Sequence, residues 1–215
     1  MTRAPSVRTS ADAPAAPTDA DLVLAARQGE AWAPEALFRR HADALNRFVY
    51  RLLGGDQELD DVVQDSFVEA LKSLAKLAEP QAFQSWLFSI AVARVRRTLR
   101  HRRMLSRLGL RKVERLDDHP LVASTAPADT RAELRSALAL MDKLPTDLRI
   151  VFSLRRVEGL AVEDIAHLTK LSPRTVKRRA AEAEALFARI AGEPEGAGRK
   201  KQAGRRLGGV DDEGA

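Results

Sequence analysis

Residues 80–103 read PQAFQSWLFSIAVARVRRTLRHRR, a stretch that keeps one helical period while its chemistry changes halfway. Phe83, Trp86, Leu87, Ile90 and Ala91 recur at spacings of three and four, which puts them on one helix face turned towards a core. Beyond Ala93 the same helix carries Arg94, Arg96, Arg97, Arg100, Arg102 and Arg103 with no acidic residue among them. Guanidinium groups at that density seek an anion, and their planar donor fork suits phosphate oxygens and guanine edges. Trp86, Arg94, Arg96, Arg97 and Arg100 are therefore candidate nucleic-acid contacts, because an aromatic beside a basic ladder can stack unpaired bases while the phosphates are neutralised. The plainer alternatives are a solvated basic face for the arginines and ordinary core packing for Trp86.

Composition agrees with such a partner. A chain of 215 residues, 45% hydrophobic, can bury one sizeable core or two small ones. Its formal net charge of +6 and pI near 10.0 favour nucleic acid or an anionic membrane surface. The absence of cysteine excludes disulfides, thiolate metal sites and cysteine redox sensing within the chain. His41, His101, His119 and His167 show no ligand spacing, so no metal or other cofactor is expected. No apolar run reaches bilayer-spanning length and the N-terminus lacks a secretory hydrophobic core, so the expectation is a cytoplasmic protein without membrane insertion.

Upstream of the arginine helix, residues 1–19 are rich in Ala, Pro, Ser and Thr and read as a disordered leader. From Asp21 amphipathic segments follow, with breaks near Gly29 and at Gly54-Gly55. The charge then inverts. Asp56, Glu58, Asp60, Asp61, Asp65 and Glu69 surround the apolar series Leu59, Val63, Phe67, Ala70 and Leu74, which describes a helix with an acidic face. A docking surface for a basic partner protein suits that face. A metal or carboxylate-pair site at Asp61, Asp65 and Glu69 is less apt, since one row of carboxylates lacks ligands converging from other segments, and the helix dipole already favours acids there.

Downstream, residues 105–130 end in a mixture of acid, proline and small residues and read as a linker. About 25 extended residues at roughly 3.3 Å each would span on the order of 80 Å. Two DNA elements a couple of duplex turns apart, roughly 70 Å, fall within that reach. A second helical unit occupies residues 131–191, with Leu134, Ala137, Leu138, Met141 and Leu144 as one stripe and Leu148, Val151, Phe152 and Leu154 as the next. After Gly159 the sequence has the form of a helix-turn-helix. Ile165, Ala166 and Leu168 give its first helix an apolar side, Ser172 caps the second helix and Pro173 takes its first position. Val176, Ala180, Ala183 and Phe187 then face inward, leaving Arg174, Lys177 and Arg178 on the face that a major groove would meet. Residues 192–215 read as a disordered basic tail. The fold class expected is all-α: two small helical domains joined by a flexible linker, the second a helix-turn-helix.

With both units laid out, the chain resembles the bacterial RNA polymerase sigma factors of the extracytoplasmic-function group over about residues 20–191. The resemblance rests on LLGGDQELDDVVQDSF at 52–67, FQSWLFSIA at 83–91 and LPTDLRIVFSLRRVEGL at 144–160. It implies that residues 20–104 form sigma region 2 and residues 131–191 form sigma region 4. It implies further that Asp61, Gln64 and Asp65 dock on the clamp helices of core RNA polymerase. The Phe83–Arg103 helix, with the loop around Ala78 to Gln81, would bind and open the minus-10 element of promoter DNA. Arg174, Thr175, Lys177 and Arg178 would read the minus-35 element as duplex. An anti-sigma factor, membrane-bound or soluble, that occludes both DNA-binding surfaces is a plausible further partner. The chain would do no covalent chemistry of its own.

Several positions depart from the family pattern. Val92, Ala93 and Arg97 stand where arginine, asparagine and aspartate are frequent, and Ala161 replaces the usual hydroxyl cap. Two rival readings remain: a helix-turn-helix regulator that binds duplex DNA without polymerase, and a metal-dependent nuclease built on Asp61, Asp65 and Glu69. The first leaves the acidic helix and Trp86 without a role, and the second lacks another carboxylate cluster.

Overall fold

The computed structural model describes residues 16–54, 58–110 and 128–192, and every regular element in them is helical. Helix α1 (Asp19–Arg27) starts in a capping box: Thr18 Oγ1 accepts from the Asp21 amide at 3.2 Å, and the Asp21 carboxylate accepts from the Thr18 amide at 2.8 Å. Helix α2 (Trp32–Leu53) buries Leu37, Leu45, Phe48, Val49, Leu52 and Leu53, and ends on Gly54 in the left-handed region at φ +78°. Helix α3 (Leu59–Lys72) buries Leu59, Val62, Val63, Phe67 and Ala70 and leaves its acidic side in solvent. Tight turns at Leu74–Lys76 and Pro80–Ala82 lead into helix α4 (Phe83–Arg107), whose inward stripe is Phe83, Leu87, Ala91, Val95 and Leu99.

The second unit begins with α5 (Ala128–Lys143) and α6 (Thr146–Phe152). A wide turn over Ser153–Val157 follows, closed by the Glu158 amide on the Ser153 carbonyl five residues back at 3.0 Å. Helices α7 (Val162–Thr169) and α8 (Pro173–Ile190) complete the helix-turn-helix, with Lys170 in the left-handed region at φ 56° between them. Ser172 Oγ accepts from the Thr175 amide at 3.2 Å, so the expected cap is in place. Ala161 precedes α7 without any side-chain cap. Phe152 and Phe187 stack at 4.7 Å, joining α6 to α8.

The fold is thus two helical units as anticipated, and the structure adds that they pack on each other. Helix α4 lies against both α6 and α7, and Ile150, Val151, Leu154, Ile165, Leu168 and Val176 belong to the same buried cluster as Val95 and Leu99. Gly54 makes the approach close: a Cβ there would lie 3.2 Å from the Arg149 guanidinium and 3.3 Å from Leu138. Helix α4 runs to Arg107 and α5 starts at Ala128, so both extend into the span read as linker. Residues 111–127 of that linker, most of the leader and nearly all of the tail lie outside the described residues.

Candidate nucleic-acid interface

Along α4 the arginines separate by what they meet. Arg94 donates to Asp65 Oδ2 at 2.7 Å and reaches Glu69 Oε2 at 3.4 Å, so the basic helix is laced to the acidic face of α3. Arg97 is exposed and lines an open groove between α3 and α4 together with Glu58, Asp61, Asp65, Thr98 and His101. Asp61 and Gln64 stay exposed. Arg102 is the exception: it is 4% exposed, pairs with Glu58 and donates to the Leu53 carbonyl at 3.1 Å. It sits three residues after Leu99 and so continues the inward stripe, a signal legible in the periodicity but hidden by the arginines around it. Trp86 is half-buried against the core, with its ring centroid 6.2 Å from that of Phe83. Phe83 is fully buried and completes the base of this corner.

A further carboxylate for the arginine run comes from the second unit. Asp147, in the first turn of α6, lies 3.0 Å from Arg96 Nε, 3.4 Å from Arg100 and 3.7 Å from Arg179. The Arg96 contact is an ion pair without an aligned hydrogen bond, whereas Arg100 donates to Asp147 Oδ2. One carboxylate therefore gathers guanidinium groups from α4 and from the recognition helix α8. Arg149, 3% exposed, pairs with Asp142 and donates to the Leu52 carbonyl at 3.2 Å and the Leu53 carbonyl at 2.9 Å. Those carbonyls belong to the last turn of α2, which has no further helical amides to satisfy them. Arg103 donates to the Leu144 carbonyl at 3.0 Å, and Arg51 pairs with Glu158, which holds the Arg51 guanidinium above its ordinary value.

The recognition helix keeps its predicted polarity. Val176 and Ala183 are buried, while Arg174, Lys177 and Arg178 are exposed and Thr175 is half-buried. Thr175 Oγ1 lies 2.8 Å from Ser172 Oγ, so this hydroxyl shares in the cap. Arg178 reaches Glu182 at 3.4 Å along the same helix, an exposed contact of little energetic weight. Sequence reasoning missed Asp147 and Arg149; an acid in the first turn of a helix is favoured by the dipole alone and so carries no signal of a distant partner. Among the described residues no group of three or more His, Asp or Glu is placed to hold a metal ion, and no helix is long and apolar enough to cross a membrane.

These two surfaces coincide with known sequence families. A model described as sigma-70 region 2 matches residues 37–104, and one described as sigma-70 region 4 matches residues 134–186. The chain is 32% identical over 155 residues to RNA polymerase sigma factor CarQ of Myxococcus xanthus, covering 72% of this chain and 86% of that protein. It is 29% identical over 175 residues to ECF RNA polymerase sigma factor SigM of Mycobacterium tuberculosis, covering 81% and 85%. RNA polymerase sigma factor CnrH of Cupriavidus metallidurans is 33% identical over 184 residues, covering 81% and 95%. The solved structure of CnrH in complex with the cytosolic domain of CnrY superposes with a TM-score of 0.56 at 27% identity, covering 81% of this chain and 97% of that one.

Proposed function

The chain belongs to the extracytoplasmic-function group of RNA polymerase sigma factors, and on that premise we propose how its residues divide the work of that family. Its function is to bind core RNA polymerase and direct promoter recognition and transcription initiation. The exposed Asp61, Gln64 and Asp65 of α3 dock on polymerase. Trp86, Arg94, Arg96, Arg97 and Arg100 hold the minus-10 element while its strands separate, stacking and phosphate contacts offsetting the lost base pairing. Arg174, Thr175, Lys177 and Arg178 read the minus-35 duplex from the major groove. Residues 20–104 and 131–191 are the two working units, joined by the 105–130 linker. The chain acts in the cytoplasm and performs no covalent chemistry.

The observation that carries this reading is a pair of outward polar surfaces of opposite sign on α3 and α4, in one chain with a capped recognition helix that exposes Arg174, Lys177 and Arg178. A duplex-binding regulator independent of polymerase would leave the α3 surface idle. In the packed arrangement, Arg96 of α4 and Arg179 of α8 share the Asp147 carboxylate. Elements roughly 70 Å apart on DNA cannot both be engaged from there. Promoter binding therefore requires the two units to separate. The cytosolic domain of CnrY seated on the CnrH relative supports a further protein partner, which we infer to be an anti-sigma factor.

Reconstitution tests the reading. The purified chain, mixed with bacterial core RNA polymerase free of other sigma factors, should form a complex and initiate on a genomic fragment library at sites sharing two spaced elements. Failure to associate with core, under conditions where a control sigma factor binds, would return the chain to the class of free duplex-binding regulators.

A further inference from the structure

The connection between α3 and α4, residues 73–82, is held from outside by one side chain of α1. Arg27 donates from Nε to the Leu74 carbonyl at 3.3 Å and from its terminal nitrogen to the same carbonyl at 2.9 Å, and the same guanidinium also donates to the Leu77 carbonyl. Leu74 and Leu77 are buried, and their carbonyls lie where a helical ladder runs out, so a cationic fork satisfies both at once. Immediately beyond this clamp Ala78, Glu79 and Gln81 turn outward, and Phe83 is buried again at the start of α4. Other side-chain hydrogen bonds along this stretch are local: Ser73 to Glu69, Gln81 to Glu79 and Ser85 to Ala82. Helix α1 is itself fixed to α2, because Asp19 accepts from Arg40 at 2.8 Å and lies 3.0 Å from His41 Nε2. A continuous brace thus runs from α2 through Asp19 and α1 to Arg27 and the loop.

We propose that Arg27 is a positioning residue for base selection in the minus-10 element: it fixes the backbone from which Ala78 to Gln81 present themselves to the separated strand. This rests on the reading of that loop and α4 as the minus-10 site. Arg27 touches the loop's carbonyls and leaves its exposed tip clear, so its effect reaches DNA through backbone geometry. A site that discriminates bases must be held to within about half an ångström; Phe83 and the packing of Pro80–Ala82 on α1 anchor one end of the loop, and the Arg27 fork fixes the backbone at the other. Lysine cannot replace the fork, since a single ammonium on a flexible stem does not hold two carbonyls in fixed relation.

The test is a binding selection by reconstituted holoenzyme on a fork-junction DNA library randomised through both promoter elements, read by sequencing. Wild type, Arg27→Lys and Gln81→Ala are compared, with thermal unfolding and core-polymerase affinity measured alongside. Arg27→Lys should keep wild-type unfolding, core affinity and minus-35 preference, and reduce minus-10 base discrimination by about fivefold or more at the positions that Gln81→Ala also changes. If Gln81→Ala alters minus-10 preference and Arg27→Lys leaves it as wild type, Arg27 has no positioning role. If neither variant changes it, the loop is not the minus-10 site and the proposal falls with that reading. A parallel loss of stability, core affinity and minus-35 preference in Arg27→Lys would instead make the residue a general structural strut and overturn the proposal.

Discussion

Replacing Asp147 by asparagine keeps the shape of the side chain and deletes the charge on which Arg96, Arg100 and Arg179 converge. The pairs differ in weight. Arg100 is 63% exposed and its 3.4 Å contact is discounted by solvent screening to near zero. Arg96 and Arg179 are each 22% exposed and Asp147 is 29%, so these two pairs sit at the upper end of what partly exposed pairs contribute. At about 0.5–1 kcal/mol each, they sum to roughly 1–2 kcal/mol. Arg179 and Asp147 lie in the same unit, so only the Arg96 share must be given up when α4 turns to phosphate. Asp147→Asn should therefore lower unfolding stability by about 1–2 kcal/mol and raise DNA affinity by about 0.5–1 kcal/mol, roughly 2- to 5-fold. Fluorescence anisotropy on a fork-junction oligonucleotide at low salt reads the affinity, and urea unfolding reads the stability. Asp164→Asn, an exposed acid of α7, changes the net charge equally without touching the cluster. If Asp147→Asn binds DNA no more tightly than Asp164→Asn, the carboxylate does not compete with phosphate and the argument fails.

Arg174→Ala or Lys177→Ala should cost about 1–3 kcal/mol and shift sequence preference at one position if the side chain reads a base, whereas a uniform loss across sequences would assign it to phosphate. Footprinting or selection on minus-35 variants distinguishes the two. Charge reversal at Asp61 and Asp65 should impair core-polymerase binding, measured by surface plasmon resonance, while recognition-helix binding to a minus-35 duplex stays nearly unchanged; equal loss of both would contradict the division of labour. Thr18→Ala removes the hydroxyl half of the α1 capping box at a cost of about 1 kcal/mol, measurable in urea. The Thr18 hydrogen bonds hold the Asp21 carboxyl below its usual value of 3.8. A depressed folded-state value means the stabilisation is present above 3.8 and is lost as pH falls through the lower folded value, so wild-type α1 should loosen only in that acid range; Thr18→Ala should weaken the transition without abolishing it, because the residue-18 amide still donates to Asp21. Amide exchange at Leu22 and Val23 follows it.

The sequence by itself determined everything that depends on period and local chemistry. Spacings of three and four named the inward faces of α3 and α4, and Ser172 with Pro173 placed the start of α8 because a cap and a fixed φ act within one turn. Arg174, Lys177 and Arg178 were legible as an outward face for the same reason: Val176 and Ala183 set the phase. Only the tertiary structure decided which charges meet. Residues 94–103 contain no acid, yet Arg94, Arg96 and Arg102 each face one, supplied by Asp65 and Glu69, by Asp147 and by Glu58. Likewise nothing local announced that Arg149 would cross to the carbonyls of Leu52 and Leu53, 97 and 96 residues away in sequence. Helical periodicity reports which side of a helix is buried; it carries no information about which distant segment does the burying, and an ion pair is a property of that pairing.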